Sequence, residues 1–184
     1  EEYLRKLISS LEKSTFKDFE LLLGDVILSN SNNTKMKGTV SEKLISSNIN
    51  FKLIRLKNNY GAPGNRNVLA SYAKGEYLLF LDNDTEILED TLTNVMDFIK
   101  KENSNLVVQL KLVYPNGLID SCGGLISDLG YPVELNRNNK ANEKCFEIKE
   151  ILYAKGAAML VNRRIFKELG GVYKGFFSAM AILL

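Results

Sequence analysis

Two patterns of apolar residues alternate along the chain. In one, apolar residues recur every three or four positions, which is the spacing of one helix face, and in the other they form a short continuous run, which is typical of a buried strand. In chain order the patterns predict a helix at 3–11, a strand at 19–28, a helix at 40–45, a strand at 51–56, a helix at 68–73, a strand at 76–81, a helix at 92–99 and a strand at 106–112. Repeated strand–helix units of this length favour an α/β fold with a mainly parallel sheet and helices on both faces.

The pattern changes after Pro115. Asn116–Gly117 and Gly123–Gly124 bracket short apolar stretches, as in β-hairpins. The strongly polar stretch at 136–144 predicts a surface loop. Further on, the predicted elements are strands at 151–153 and 157–161 and a helix at 163–169 that two glycines, Gly170 and Gly171, close. We find no internal repeat and no separate second domain.

Composition excludes several classes of function. The chain of 184 residues has a net charge of only +2, which argues against a nucleic-acid binder. It contains no histidine, so a Cys/His zinc site and the Ser-His-Asp and Cys-His catalytic arrangements are ruled out. Its two cysteines, Cys122 and Cys145, are too few for a disulfide scaffold and are interpreted as reduced thiols. No apolar stretch of about 20 residues is present, so no membrane span is expected in this chain.

Two carboxylates follow the clearest buried strand of the sequence. Asp82 and Asp84 come directly after the run at 76–81, and in open α/β sheets ligands bind beyond the carboxyl ends of the strands. Mg²⁺ or Mn²⁺ is held by one or two carboxylates together with substrate phosphates. The alternative is that these residues cap the next helix or start a turn, which is a common role for Asp. A calcium loop is disfavoured because the stretch 82–86 lacks the glycine and the further ligands of an EF-hand.

A glycine-containing stretch lies upstream of these carboxylates. Residues 61–67 read GAPGNRN and lead into a predicted helix. Glycine-rich turns at helix N-termini suit phosphate groups, and Arg66 would offer a fork of donors to a diphosphate. The spacing matches neither a Gly-x-Gly-x-x-Gly fingerprint nor a Walker loop. The alternative is therefore a loop that Asn65 caps, with Arg66 in solvent.

Several motifs in order resemble the family-two glycosyltransferases of GT-A fold. The core signature is Asn65-Arg66-Asn67 followed by AKGEYLLFLDNDTE at 73–86. Downstream, LVYPNGLID at 112–120 and KGAAMLVNRRIFKELGG at 155–171 resemble stretches of the rhamnosyltransferase-like branch. The resemblance implies an α/β, Rossmann-like GT-A fold and the transfer of a sugar from a nucleotide-diphosphate donor.

The resemblance also implies roles for individual residues. Asp82 and Asp84 would be the carboxylates of the Asp-x-Asp motif that hold the metal and the nucleotide diphosphate, with Asp84 the more direct metal ligand. Arg66 would reach the diphosphate. Asp25 stands where the family has an Asp that bonds the nucleotide base, although Asn30 or Asn32 could take that place. A strand at 156–159 would border the donor sugar and the acceptor, or serve packing alone.

Two features of the family's pattern are missing. The family opens with an apolar strand in the middle of its sheet, and this chain begins at the helix that follows it. After the stretch matched by 170–177 the family continues into an acidic pair that supplies the general base for the acceptor hydroxyl, whereas 178–184 contains no carboxylate. We therefore expect a chain truncated at both ends, with its catalytic base unknown and Asp120 and Asp128 as the nearest other carboxylates.

These observations together predict an incomplete glycosyltransferase domain over 1–184, with a nucleotide-binding half at 1–114 and a partial half for acceptor and donor sugar at 115–184. The expected reaction is a metal-dependent, inverting transfer from a UDP-, dTDP- or GDP-sugar to a hydroxyl of a glycan or lipid-linked acceptor in cell-surface polysaccharide synthesis. The expected location is the cytoplasm, at the inner face of the membrane. Two alternatives remain: a nucleotidyltransferase, and an inactive remnant that only binds or packs.

Overall fold

The computed structural model describes residues 2–27, 48–102, 107–141, 148–173 and 182–183. Its helices and strands, in chain order, are α1 (Glu2–Lys13), β1 (Leu21–Val26), β2 (Phe51–Leu56), α2 (Gly61–Tyr72), β3 (Tyr77–Leu81), α3 (Thr91–Glu102), β4 (Val107–Gln109), β5 (Leu112–Val113), β6 (Ile119–Ser121), β7 (Gly124–Ile126), β8 (Pro132–Glu134), β9 (Ala158–Asn162), α4 (Arg163–Glu168) and β10 (Ile182–Leu183). The helix predicted at 40–45 lies outside the described residues. No helix in the described ranges is long and apolar enough to cross a membrane.

A six-stranded sheet forms the centre of the fold, with the strand order β2-β1-β10-β3-β9-β4. Strands β1 to β4 all point in one direction, but only β1 and β2 are parallel neighbours, so the prediction of a mainly parallel sheet holds for strand direction and not for pairing. β9 and β10 run antiparallel to their neighbours, so the sheet is mixed. The antiparallel direction of β9 brings its first residue, Ala158, opposite the last residue of β3, Leu81.

Helices cover both faces of the sheet, as predicted. Strand side chains alternate between the two faces, and Leu21 and Leu23 of β1 pack on one side while Leu22 packs on the other. The first face is covered by apolar residues of α1 and α3, and the second by α2 and α4. Among the buried residues on these helices are Leu4, Leu7, Leu11, Leu92, Val95 and Ile99 on the first face, and Leu69, Ala70 and Phe166 on the second.

The middle of the sheet is occupied by β10. Ile182 pairs with Leu23 of β1 on one side and with Leu81 of β3 on the other. The family resemblance places an N-terminal strand at the centre of the sheet, and in this structure a two-residue antiparallel strand takes that position.

Helix α2 begins at Gly61, earlier than the predicted start at 68, so the glycine-containing stretch at 61–67 is helical. Side chains compensate for the poor helix propensity of this stretch. The carboxamide of Asn59 accepts the Gly61 N–H at 3.0 Å, and the Asn65 carboxamide accepts the Tyr60 N–H at 3.2 Å. Pro63 lies in the first turn, where a missing N–H removes no hydrogen bond.

The second half contains the predicted hairpins, formed by β5 with β6 and by β7 with β8. The strand expected at 151–153 is reduced to one bridge between Tyr153 and Gly124. Cys122, beside the second hairpin, is disulfide-bonded, so the interpretation of this residue as a reduced thiol is wrong. Cys145 lies outside the described residues.

Candidate active site

Three of the predicted site residues lie at one edge of the sheet. Asp82 follows the last residue of β3, Asp84 lies two residues further, and Asp25 is near the end of the parallel strand β1. Helix α2 brings Arg66 to the same edge, where its Nη2 donates to Oδ1 of Asp82 at 2.9 Å. The fold thus brings Arg66 into contact with Asp82, two residues before Asp84.

The backbone around Asp82 holds this residue at the edge of the sheet. Its N–H donates to the Ala157 carbonyl at 3.2 Å, and its carbonyl accepts bonds from both the N–H and the hydroxyl of Thr85. Asp82 therefore begins a tight turn. Helix α3 starts only at Thr91, so neither Asp82 nor Asp84 caps it, and the helix-capping alternative is wrong.

Arg66 is enclosed by the residues around it. Its guanidinium lies 6.0 Å from the Phe80 ring centroid, and its Nε is buried with no partner among the residues that the structure describes. Gly156, just before β9, leaves room for the group, because a Cβ built there would lie 2.6 Å from Cζ of Arg66. The side chain of Arg66 is only 13% exposed, against 39% for its partner Asp82. Arg66 is therefore not a solvated side chain, which rules out the alternative that it lies in solvent.

The charges at this edge are not balanced. Burial raises the pKa of Asp82 above its ordinary value of 3.8. The charge and hydrogen bond of Arg66 oppose that shift, while the nearby negative charge of Asp84 adds to it. Two carboxylates with one compensating arginine form a site that a further cation would stabilise.

The two carboxylates fit a divalent metal that shares its coordination with a ligand. Their oxygens are the hard donors that Mg²⁺ and Mn²⁺ prefer, and Arg66 engages only Oδ1 of Asp82, which leaves the other oxygen for a metal. Within the described part of the chain, no group of three or more acidic or cysteine side chains could hold a metal ion by itself. Two carboxylates are a partial ligand set, of the kind that Mg²⁺ completes with waters and substrate phosphates.

Asp25 is placed differently from the other two aspartates. It is 3% exposed and forms an ion pair with Arg55, its register partner on the parallel strand β2. The sequence pattern contains no sign of this pair, because the two residues are 30 positions apart. The role of Asp25 toward a nucleotide base stays a prediction.

A second polar cluster, missed by sequence reasoning, lies beside Gly156. The Lys155 Nζ contacts Asp120 at 3.1 Å and Glu134 at 3.5 Å, and the Tyr114 hydroxyl donates to Asp120 at 2.6 Å. Burial alone would raise the pKa of Asp120, but the hydrogen bonds from Tyr114 and Lys155 lower it overall. A carboxylate held in this way is a poor general base, which disfavours Asp120 for that role.

Cavities of the described structure also lie away from this edge. One of about 880 Å³ is lined by Tyr77, Asn162 and Lys167, at the opposite end of β3 from Asp82. Its lining includes the carboxylates of Glu76 and Glu168 but neither of the predicted aspartates, Asp82 and Asp84. Position at the carboxyl edge of the sheet, rather than cavity size, therefore identifies the candidate site.

Known proteins resemble this chain over much of its length. The family model for glycosyl transferase family 2 matches residues 1–170. Over 123 residues the chain is 32% identical to the poly(ribitol-phosphate) beta-N-acetylglucosaminyltransferase TarS of Staphylococcus aureus, covering 66% of this chain and 21% of TarS. Over 181 residues it is 30% identical to the GalNAc(5)-diNAcBac-PP-undecaprenol beta-1,3-glucosyltransferase of Campylobacter jejuni, covering 91% of this chain and 52% of that enzyme.

The fold is also found in a solved structure. The crystal structure of TarS 1–349 in complex with UDP-GlcNAc superposes with a TM-score of 0.61 at 22% identity, over 94% of this chain and 45% of that one. This similarity confirms the expected GT-A fold. The chain spans about a fifth to a half of the length of the relatives it matches. The rhamnosyltransferase-like branch stays a prediction.

Proposed function

Because the chain belongs to glycosyl transferase family 2, we propose that it transfers a sugar from a nucleotide-diphosphate donor to a hydroxyl of a cell-surface glycan or lipid-linked acceptor. The observation that carries the proposal is the grouping of Arg66, Asp82 and Asp84 at the carboxyl edge of the sheet. UDP-sugars are the first donors to consider, since TarS was crystallised with UDP-GlcNAc. We further propose that the protein acts in the cytoplasm, at the inner face of the membrane.

Each site residue would bind a different part of the donor. Arg66 already faces Asp82, and its planar fork of donors suits the oxygens of a diphosphate. Asp82 and Asp84 would hold Mn²⁺ or Mg²⁺, which when bound neutralises the charge that develops on the departing diphosphate. Asp25 would contact the nucleotide base from the end of β1.

The later half would bind the acceptor and the donor sugar. We assign 1–114 to the nucleotide and 115–184 to the acceptor and the sugar. This assignment is supported by the contacts of Gly156 with Arg66 and of Ala157 with Asp82, because they bring the start of β9 next to the Arg66–Asp82 pair. The proposed transfer inverts the sugar, and we assign its general base to none of the described residues.

Thermal stability in the presence of donor nucleotides tests the proposal. UDP, dTDP and GDP are each added with Mn²⁺, and at least one is expected to raise the melting temperature, because a ligand that binds only the folded state stabilises it. Asp84→Ala should abolish the rise. Asp97→Ala, which removes an exposed aspartate from α3, should retain it and serves as the matched control.

Two outcomes would contradict the proposal. The first is the absence of any shift with all three nucleotides, which would favour the inactive remnant. The second is release of pyrophosphate from a nucleoside triphosphate in a coupled assay, which would identify a nucleotidyltransferase instead.

A further inference from the structure

The carboxamide of Asn67 forms a contact of two hydrogen bonds, here called the grip, with the backbone of Val172. The Nδ2 of Asn67 donates to the Val172 carbonyl at 2.7 Å, and the Val172 N–H donates to the Asn67 Oδ1 at 2.8 Å. The two residues are 105 positions apart. Both hydrogen-bonding groups of one side chain are therefore used to fasten α2 to the chain that follows α4.

This grip requires glycine at position 171. A Cβ built on Gly171 would strike the Asn67 Oδ1 and lie 3.0 Å from its Cγ. The backbone there also has a φ of +79°, which side-chain-bearing residues rarely adopt. Gly170 has almost the same φ, +80°, but a Cβ there would meet nothing within 4 Å. Of these two glycines, only the second is needed for the contact with Asn67.

The grip lies next to the candidate active site. Asn67 directly follows Arg66, which bonds Asp82 and lies against Gly156. Consecutive residues of α2 therefore hold two separate segments of the later half. Farther along the chain, Ile182 pairs with Leu81, the residue just before Asp82.

We infer that Asn67 is a positioning residue for sugar transfer: its carboxamide fixes the later half of the chain against the helix that carries Arg66. This inference rests on the proposed function. One N–H and one lone pair of the Asn67 carboxamide are taken by Val172, which orients the group toward that segment. A small displacement of catalytic parts lowers turnover strongly, so loss of the grip should reduce the rate and leave nucleotide affinity nearly intact.

Three variants isolate the grip. Asn67→Asp keeps the size of the side chain but replaces the donating Nδ2 by an oxygen that faces the Val172 carbonyl oxygen. Gly171→Ala pushes the carboxamide away by direct contact. Gly170→Ala is the matched control, because it introduces the same backbone strain without touching Asn67.

Two measurements are made on each variant. Hydrogen exchange of the Val172 amide reports the grip itself, and UDP release at saturating UDP-GlcNAc with Mn²⁺ reports its effect on the reaction. We expect Asn67→Asp and Gly171→Ala to speed the exchange and to lower the rate roughly 10- to 100-fold, with the Kd for UDP changed by less than about twofold. Gly170→Ala should match the wild type in both measurements.

The inference is overturned if exchange at Val172 is unaffected by Asn67→Asp, or if exchange accelerates while UDP release keeps its rate. It is also overturned if Gly170→Ala lowers the rate as much as Gly171→Ala, since backbone strain would then explain the loss. A wild-type protein whose melting temperature is raised by none of UDP, dTDP and GDP with Mn²⁺ would refute the proposed function itself. That result differs from the others, because it appears before any variant is made.

Discussion

Gly156→Ala should weaken nucleotide binding far more than it weakens the fold. The added methyl group would lie 2.6 Å from Cζ and 2.9 Å from Nη2 of Arg66, which is too close for either to stay in place. Because the guanidinium is the flexible end of the long Arg66 side chain, it can move aside. The variant is therefore expected to fold, with Arg66 displaced from Asp82.

The expected loss of stability follows from how exposed the Arg66–Asp82 ion pair is. A charge-assisted hydrogen bond contributes about 1.5–3 kcal/mol when buried, and an exposed ion pair contributes about 0–1 kcal/mol. With Asp82 39% exposed, we expect a loss of about 1 kcal/mol, or roughly 2–4 °C in melting temperature for a chain of this size. A lost contact to the diphosphate in the enclosed site should weaken UDP binding roughly 10- to 100-fold.

Calorimetric titration with UDP and Mn²⁺, together with thermal unfolding, measures both effects. Gly75→Ala is the control, since a Cβ there would meet only the Tyr77 carbonyl, at an ordinary 3.4 Å. In an Arg66→Ala background, Gly156→Ala should have little further effect, because its target is gone. Unchanged UDP affinity in Gly156→Ala, in a wild type that binds UDP, would refute the argument that Gly156 makes room for Arg66.

Two further substitutions test other parts of the site. Asp25→Asn should lower the melting temperature by roughly 2–8 °C, because it weakens a buried ion pair worth about 1–2 kcal/mol. If Asp25 also bonds the nucleotide base, UDP affinity should fall as well, and an unchanged affinity would rule that role out. Asp120→Asn tests the lowered pKa of Asp120. A lowered pKa means that the ionised carboxylate stabilises the folded state above pH 3.8, the ordinary pKa value of Asp. This stabilisation is lost as the pH falls through the lowered pKa. The variant should therefore melt below the wild type at pH 7, with the gap closing below about pH 4; a gap independent of pH would contradict this.

The elements with strong apolar periodicity could be predicted from the sequence. Helices α1 and α3 and strand β3 occur close to the predicted positions, because their buried faces are contributed by Leu, Ile and Val at regular spacing. The place of Asp82 and Asp84 follows from the same pattern, since residues just after a buried strand emerge at the edge of the sheet.

Other features depend on contacts that are distant in sequence. The start of α2 at Gly61 could not be read from a stretch rich in glycine and proline, because Asn59 and Asn65 supply the bonds that permit it. The Lys155–Asp120–Glu134 cluster joins three segments, and nothing near any one of these residues indicates the other two. The direction of β10 could not be predicted from the sequence either, since a short apolar stretch does not indicate which strands it pairs with.

The bond between the Asp82 N–H and the Ala157 carbonyl affects which substitutions this edge of the sheet can tolerate. A main-chain oxygen is supplied by every amino acid, so the aspartate's anchorage is indifferent to the side chain at position 157. Variation at that position therefore leaves the hydrogen bond that holds the acidic turn in place. The acidic turn and the side chain at position 157 can in this way change independently of each other.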